Sequence, residues 1–238
     1  MALAVRQVRS ARDLRQVGRF RYAVYVSEMG RPQKNADHQQ LLIIDDLDLG
    51  SIVLAAWDAG RVVGTCRVSF CHSCDIGPYE QWYRAPQVAK ASWPDATAIL
   101  TRLMVAPERR GSLLAMKLAS EAFLLGQRNG IRCALMDCNE HLLLFFAAMG
   151  WRLVGNFDHP EYGLVYTHLF DLDDFAHMAK IRSPFLRTLR PGAASIHKPR
   201  SSVISLDVLD KARGDLTAKR SRSRAPAQEA YQSALHCC

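Results

Sequence analysis

Residues 96–155 read ATAILTRLMV APERRGSLLA MKLASEAFLL GQRNGIRCAL MDCNEHLLLF FAAMGWRLVG, and their order decides the fold. The apolar run Ala98 to Val105 predicts a strand, the Pro-Glu-Arg-Arg-Gly-Ser segment a turn, and Leu113 to Asn129 a helix. Cys133 to Cys138 predicts a second strand, His141 to Met149 a second helix, and a Gly-Trp-Arg-Leu-Val-Gly exit follows. Two strands joined by a helix of this length form a parallel pair with a right-handed crossover. The turn after the first strand then lies at the carboxyl edge of the sheet, where open α/β sheets bind ligands.

The helix is marked by Leu114, Leu118, Ala122 and Leu125, which recur at helical steps, with Lys117, Glu121 and Arg128 off that face. Ser112 is the predicted N-cap. Amides of Arg110, Gly111 and Ser112 at such a helix start suit a phosphate or a carbonyl oxygen.

Outward from this unit, 238 residues at 49% apolar content allow one α/β domain and a tail. The excess of basic over acidic side chains, 31 against 23, lies in the last quarter of the chain. That places a folded domain at residues 1–181 and a basic tail, expected to be mostly disordered, at 182–238. Nucleic acid is not an expected partner. No run of about 18 apolar residues predicts a membrane span, and Met1 to Arg9 lacks the apolar core of a secretion signal. The 7 cysteines have no framework spacing, and Cys71-His72-Ser73-Cys74 lacks a second pair, so no metal is expected and a cytoplasmic location is.

Along the chain, Leu3 to Val8 predicts a strand. Ser10 with Asp13 opens a helix to about Glu28, with a stripe of Leu14, Val17, Phe20 and Val24; on it Arg21, Tyr25 and Glu28 are spaced to share a face. Gly30 to Gln40 is a polar loop, long enough to be functional. Ser51 to Trp57 and Val62 to Phe70 predict a hairpin. His72 to Asp95, rich in aromatics and proline, is either an anchored surface loop or the wall of an apolar ligand site. Leu164 to Phe170 and Leu172 to Ile181 predict a last strand and a last helix.

Chemistry is expected where charge sits in apolar surroundings. Arg67 and Arg102 fall inside two apolar strands, and each requires an acidic partner or a ligand carboxylate. Asp45-Asp46-Leu47-Asp48 and Glu28 are the nearest acids in sequence. Such a cluster either ties the first helix and its loop to the sheet, or grips the carboxylate and amine of a small ligand. No Ser, Cys or His stands in a recognisable nucleophile setting, so a covalent enzyme intermediate is not expected.

Val105-Ala106-Pro107-Glu108-Arg109-Arg110-Gly111, then the helix, then Phe145-Phe146-Ala147-Ala148-Met149-Gly150-Trp151, resembles the donor-binding half of the GNAT acyltransferases. Two positions depart from that pattern. Leu113 stands where a glycine is usual at the pyrophosphate turn, and Phe146 stands where a tyrosine acts as general acid. Arg21 to Gly30, Asp45 to Asp48, Val63 to Arg67, Thr101 to Val105 and His159 to Gly163 together resemble one GNAT branch. That branch holds the N-acyl amino acid synthases, ornithine-lipid acyltransferases and acyl-homoserine-lactone synthases. Ile43 and Ile99 stand where the lactone synthases carry glutamates.

The resemblance implies a GNAT-like fold with a mixed central sheet flanked by helices. It also implies transfer of a long acyl group from acyl carrier protein or acyl-CoA to the amine of an amino acid or similar molecule, without a permanently bound cofactor. Arg21, Asp48, Arg67 and Arg102 are the implied acceptor-binding positions. Glu28 or Asp45 is the candidate proton acceptor, and Val105, Arg109, Arg110, Gly111 and Ser112 are the candidate donor-binding residues. Arg109, Arg110 and Lys117 suit a phosphopantetheine phosphodiester and an acidic carrier protein. Two rival readings are an acetyl-CoA-dependent small-molecule N-acetyltransferase, whose aromatic segment fills in on itself, and an inactive binding module of the same fold.

Overall fold

The computed structural model describes residues 3–188 and 203–214. The strands are β1 (Ala4–Gln7), β2 (Ala36–Asp37), β3 (Leu42–Ile43), β4 (Ile52–Asp58), β5 (Arg61–Phe70), β6 (Thr97–Val105), β7 (Cys133–Cys138), β8 (Arg152–His159) and β9 (Gly163–Asp171). The helices are α1 (Ala11–Tyr22), α2 (Tyr79–Trp82), α3 (Ala85–Ala89), α4 (Leu114–Arg128), α5 (Leu143–Met149), α6 (Phe175–Lys180) and α7 (Leu206–Arg213). Seven strands form one mixed sheet in the order β1-β4-β5-β6-β7-β9-β8, and β2 with β3 makes a separate ribbon.

Alternation along the strands sends two sets of side chains to two covers. Leu54, Cys66, Val68, Leu100, Ala134 and Met136 face α4 and α5, meeting Leu114, Leu118, Ala122 and Phe123. Gly64 lets α4 approach: a Cβ there would stand 2.9 Å from Leu118 Cδ1 and 3.2 Å from the Met104 carbonyl oxygen. On the opposite face, Val53, Ala55 and Trp57 pack on α1 and α7, and Ile99, Leu135 and Cys133 lie beneath the α2–α3 segment.

Two features of β6 create the site. It pairs in parallel with β7 only from Thr97 to Ile99, opposite Cys133 to Leu135, and beyond that the strands part. It also bulges against β5. Thr65 pairs with Met104 but Arg67 with Thr101, so β6 spends one extra residue there, and Arg102 takes a left-handed backbone at φ +56.

The predicted strand–helix–strand unit, hairpin and Ser10 cap are present, the cap accepting the Asp13 N–H at 3.1 Å. The first helix differs. From Ala23 to Glu28 it widens into a π-helix, so Arg21, Tyr25 and Glu28 do not act from one face: Arg21 turns inward to Asp48, Tyr25 stacks on Tyr162, and Glu28 turns out to Arg110. The exit after Gly150 is a full strand, β8. Its mostly exposed residues carry no apolar alternation, as an edge strand permits. The predicted last helix is shorter at both ends, since α6 starts on the Asp174 cap.

The predicted tail is in part folded. Phe185 is fully buried in the α4-side core, and Ile204, Leu209 and Ala212 are buried against α1. Arg213 hydrogen-bonds the Ile44 carbonyl at 3.2 Å and Asp46 at 2.8 Å, and Arg15 donates to the Ala212 carbonyl at 2.8 Å. A few apolar residues at helical spacing were enough once α1 offered a groove. The rest of the predicted tail lies outside the described residues. Leu209→Asp is expected to detach α7 at a cost of about 2–3 kcal/mol in urea unfolding. An unchanged midpoint would return this segment to a loose tail.

Candidate active site

Asp45 and Asp48 bracket a single 3₁₀ turn, Asp46–Asp48, which aims both carboxylates under the sheet; the Asp48 carboxylate accepts the Asp45 N–H at 3.1 Å. Three arginines from three elements meet them. Arg21 of α1 donates to both oxygens of Asp48, at 2.7 and 3.0 Å. Arg67 of β5 pairs with Asp45, lies 3.5 Å from Asp48, and anchors its Nε on Thr101 Oγ1 at 2.8 Å. Arg102, thrown sideways by the bulge, donates to Asp45 Oδ2 at 2.8 Å.

Arg21 and Arg67 are sealed at 0% and 1% exposure, and Asp45 and Asp48 at 2% and 0%. Burial works to raise the Asp45 carboxyl, but the charges of Arg67, Arg102 and Arg21 outweigh it and hold it well below the usual carboxylate range. Three guanidiniums share two carboxylates, so this buried cluster carries one positive charge in excess. A low-dielectric site with surplus cation is suited to an anion.

A cavity of about 200 Å³ occupies the gap where β6 and β7 part. One wall is polar, with Tyr25, Arg31, Tyr79, Arg102, Asp137 and Tyr162; the other is apolar, with Leu100, Met104, Met136 and Phe146. Arg102 is the member of the ion cluster that faces this space. Its Nη1 donates to Gln33 Oε1 at 2.7 Å and to the Tyr162 hydroxyl at 3.0 Å, and its guanidinium sits 5.1 Å from the Tyr25 ring centroid. Its Nε is buried and, among the described residues, has no hydrogen-bond partner. The Nε of Arg21 is orphaned as well, but Arg21 does not line the cavity and Arg102 does, so Arg102 is the one that a ligand acceptor can meet.

Asp137 of β7 stands on the same wall and accepts from the Tyr83 hydroxyl. Burial pushes its carboxyl above the ordinary value, against that hydrogen bond and the charge of Arg102. Cys138 also lines the cavity, but burial pushes its thiol up to about 12, so it is not a thiolate nucleophile at neutral pH.

Further along, Val105 ends β6, and Arg109, Arg110, Gly111 and Ser112 form the turn into α4, with Gly111 at φ +73 and open space beside it; Arg109 and Ser112 line a separate hollow with Leu3 and Pro184. The helix starts one residue later than predicted: Leu113 is the cap position, while Ser112 Oγ accepts from the Leu114 N–H at 3.3 Å and donates to the Arg109 carbonyl at 2.6 Å. Leu113 is 73% exposed at the place a glycine was expected. Arg109 pairs with Asp58 and Arg110 with Glu28, both at the surface. Exposed pairs of this kind contribute about 0–1 kcal/mol, so an arriving phosphate can displace them.

The structure therefore brings Arg21, Asp45, Asp48, Arg67 and Arg102 into one network, and puts Glu28 apart from it on Arg110. Sequence reasoning did not single out Arg31, Gln33, Asp137 or Tyr162 as site residues; Tyr79 and Tyr83 lie in the segment His72 to Asp95, read as either a surface loop or the wall of an apolar ligand site. Asp137 carried the same signal that singled out the arginines, a charge inside an apolar strand. Gln33 and Arg31 carried only the length of their polar loop, which is long enough to be functional. In the α2–α3 segment the Tyr79 ring meets Trp82 and Tyr83, those two pack on Phe157 of β8, and Tyr79 reaches the cavity.

Comparison with known proteins agrees with this architecture. The fold is shared with the CoA-dependent acyl-homoserine lactone synthase MesI, at 22% identity and a TM-score of 0.56 over 75% of this chain and 93% of that one. It is shared with BjaI, another such synthase, solved with SAM and isopentyl-CoA, at 17% identity and a TM-score of 0.58 over 89% and 99%. FeeM, an N-acyl amino acid synthase from uncultured soil microbes, aligns at 10% identity and a TM-score of 0.58 over 79% and 99%. No curated protein matches the sequence. Among the described residues, no helix is long and apolar enough to cross a membrane. The family model described as N-acyl amino acid synthase FeeM matches residues 16–170, more than half of the chain. The chain belongs to that family and is an N-acyltransferase.

Proposed function

We propose that the protein transfers an acyl group from a phosphopantetheine thioester to the amine of a small acceptor that carries a carboxylate, an amino acid or a close relative. The observation that carries this reading is the unpartnered Nε of Arg102, held at the wall of a cavity beside a buried cluster with surplus positive charge. An acceptor carboxylate satisfies both. Arg21, Arg67, Asp45 and Asp48 pair with one another and do not line the cavity, so they position the acceptor through Arg102 without touching it. Arg109, Arg110, Gly111 and Ser112 take the donor's phosphate at the start of α4, and Val105 lies where the pantetheine passes along β6. The unpaired edge of β6 beyond Ile99 offers backbone amides to the thioester carbonyl. Acyl carrier protein and acyl-CoA both carry this arm, and MesI and BjaI are described as CoA-dependent.

A second reading, transfer of a short acyl group, draws on the aromatic segment, whose rings are filled in against one another and β8. It also draws on a cavity of about 200 Å³, below the roughly 300–1,000 Å³ usual for ligand sites. The test offers decanoyl-acyl carrier protein, decanoyl-CoA and acetyl-CoA separately with the common amino acids, and identifies amides by mass spectrometry. N-decanoyl amino acids are the expected product. N-acetyl products alone select the second reading, and no amide from any donor removes both.

A further inference from the structure

Resting on the acyltransfer reading, we infer that Asp137 holds the acceptor's amine and takes its proton, with Tyr83 as the residue that positions and tunes it. Neither proton acceptor suggested by the sequence meets the geometric requirement. Both Asp45 oxygens are committed to guanidiniums deep under the sheet, and Glu28 is bidentate on Arg110 at the surface. Asp137 lies on the polar wall, on the strand opposite Arg102, at the point where β6 and β7 have just parted. An acceptor whose carboxylate meets Arg102 therefore presents its amine toward Asp137, and the two side chains read the two ends of a zwitterion.

The chemistry balances with no further reactant. An α-ammonium gives one proton to the Asp137 carboxylate. The freed nitrogen lone pair forms the C–N bond to the thioester carbon while the C–S bond breaks. The second nitrogen proton ends on the departing sulfur, giving the amide and a thiol, and Asp137 then releases its proton to solvent.

A carboxyl whose affinity for protons is raised by burial is better matched to an amine than an ordinary surface aspartate. The Tyr83 hydroxyl donates to Asp137, its own acidity suppressed by burial and by the facing carboxylate. The other groups facing Asp137 are Tyr79 of α2, whose hydroxyl is also buried, Arg102 of β6, and Arg31 and His141 on the same cavity. Tyr79, its hydroxyl raised by burial, and Arg102, whose burial is outweighed by the charge of Asp45, keep one charge state through the neutral range. His141 is replaced as the control.

The experiment measures kcat/KM for the best acceptor against pH in the wild type, Asp137→Asn, Tyr83→Phe and His141→Gln. In the wild type the rate falls as pH drops through the Asp137 titration. Asp137→Asn is expected to lose about 10²–10⁴-fold and that acidic limb with it. Tyr83→Phe, which removes a hydrogen bond to the ionised form, is expected to move the limb to higher pH. His141→Gln leaves it in place.

A readout besides turnover follows from linkage. A carboxyl bound more tightly to its proton in the folded state makes stability fall as pH rises from its unfolded value through its folded one. Asp137→Asn is expected to abolish that fall in thermal midpoint and to melt no lower than the wild type near neutral pH. If the wild type makes amide and Asp137→Asn keeps both rate and limb, or if the limb follows His141, Asp137 is not the proton acceptor. If the wild type makes no amide at all, the acyltransfer reading fails instead.

Discussion

Arg102→Gly is expected to cut kcat/KM for a carboxylate-bearing acceptor by about 10²–10³-fold, equivalent to about 3–4 kcal/mol, while the fold survives. The loss is large because Arg102 is buried and held on Asp45, whereas the other guanidinium of the cavity wall, Arg31, is only half-buried and sits on the loop after the first helix. The fold survives because removal strands little: Asp45 keeps Arg67, and the Tyr162 hydroxyl already lies 3.1 Å from Gln33 Oε1. Glycine is the informative choice, since φ at this bulge is +56 and a Cβ there costs about 1 kcal/mol. Arg102→Ala is thus expected to match it in activity and to be less stable by roughly that amount. The assay pairs an amino acid with the amine made by removing its carboxylate. Arg102→Gly should slow only the first, through the acceptor's KM, and leave the donor's KM unmoved. Equal slowing of both acceptors would show that Arg102 does not hold the carboxylate.

How far the site could be read in advance depends on what each residue's signal consisted of. Arg67 and Arg102 stood out because a charge inside an apolar strand has few explanations, and the structure gives both of them a place beside Asp45. Their difference in role was not legible. It arises from the bulge, which a one-dimensional pattern does not show: one extra residue in β6 swings Arg102 to the cavity and leaves Arg67 sealed at 1% exposure. The π-helical stretch is a similar case. Helical spacing put Arg21, Tyr25 and Glu28 on one face, and a change of helix pitch sent them to three different partners. The parallel strands, crossover helix and hairpin were legible because period and length alone specify them. The edge strand β8 and the docked helix α7 were not, because what stabilises them is a neighbour contributed by a distant part of the chain.

That dependence on distant partners makes the Arg21–Asp48 pair the next place to press. Arg21→Met is expected to destabilise the protein by about 3–5 kcal/mol, since it leaves a carboxylate with 0% exposure short of its bidentate partner. Arg67 at 3.5 Å is too far from Asp48 to replace two bonds at 2.7 and 3.0 Å. Two charges of opposite sign cost much less to remove together than singly, so Arg21→Met with Asp48→Leu is expected to recover most of the loss. Urea unfolding of the two singles and the double provides the coupling energy directly. Recovery of stability need not bring recovery of activity: Asp48 also receives the Asp45 N–H, and without that bond the loop no longer fixes the carboxylate on which Arg102 is hung. The double variant should therefore fold and yet bind the acceptor more weakly, with the donor's KM unchanged. A double variant with wild-type acceptor KM would mean that Asp45 holds Arg102 without help from the rest of the network, and that Arg21 and Asp48 only fasten the first helix to the loop.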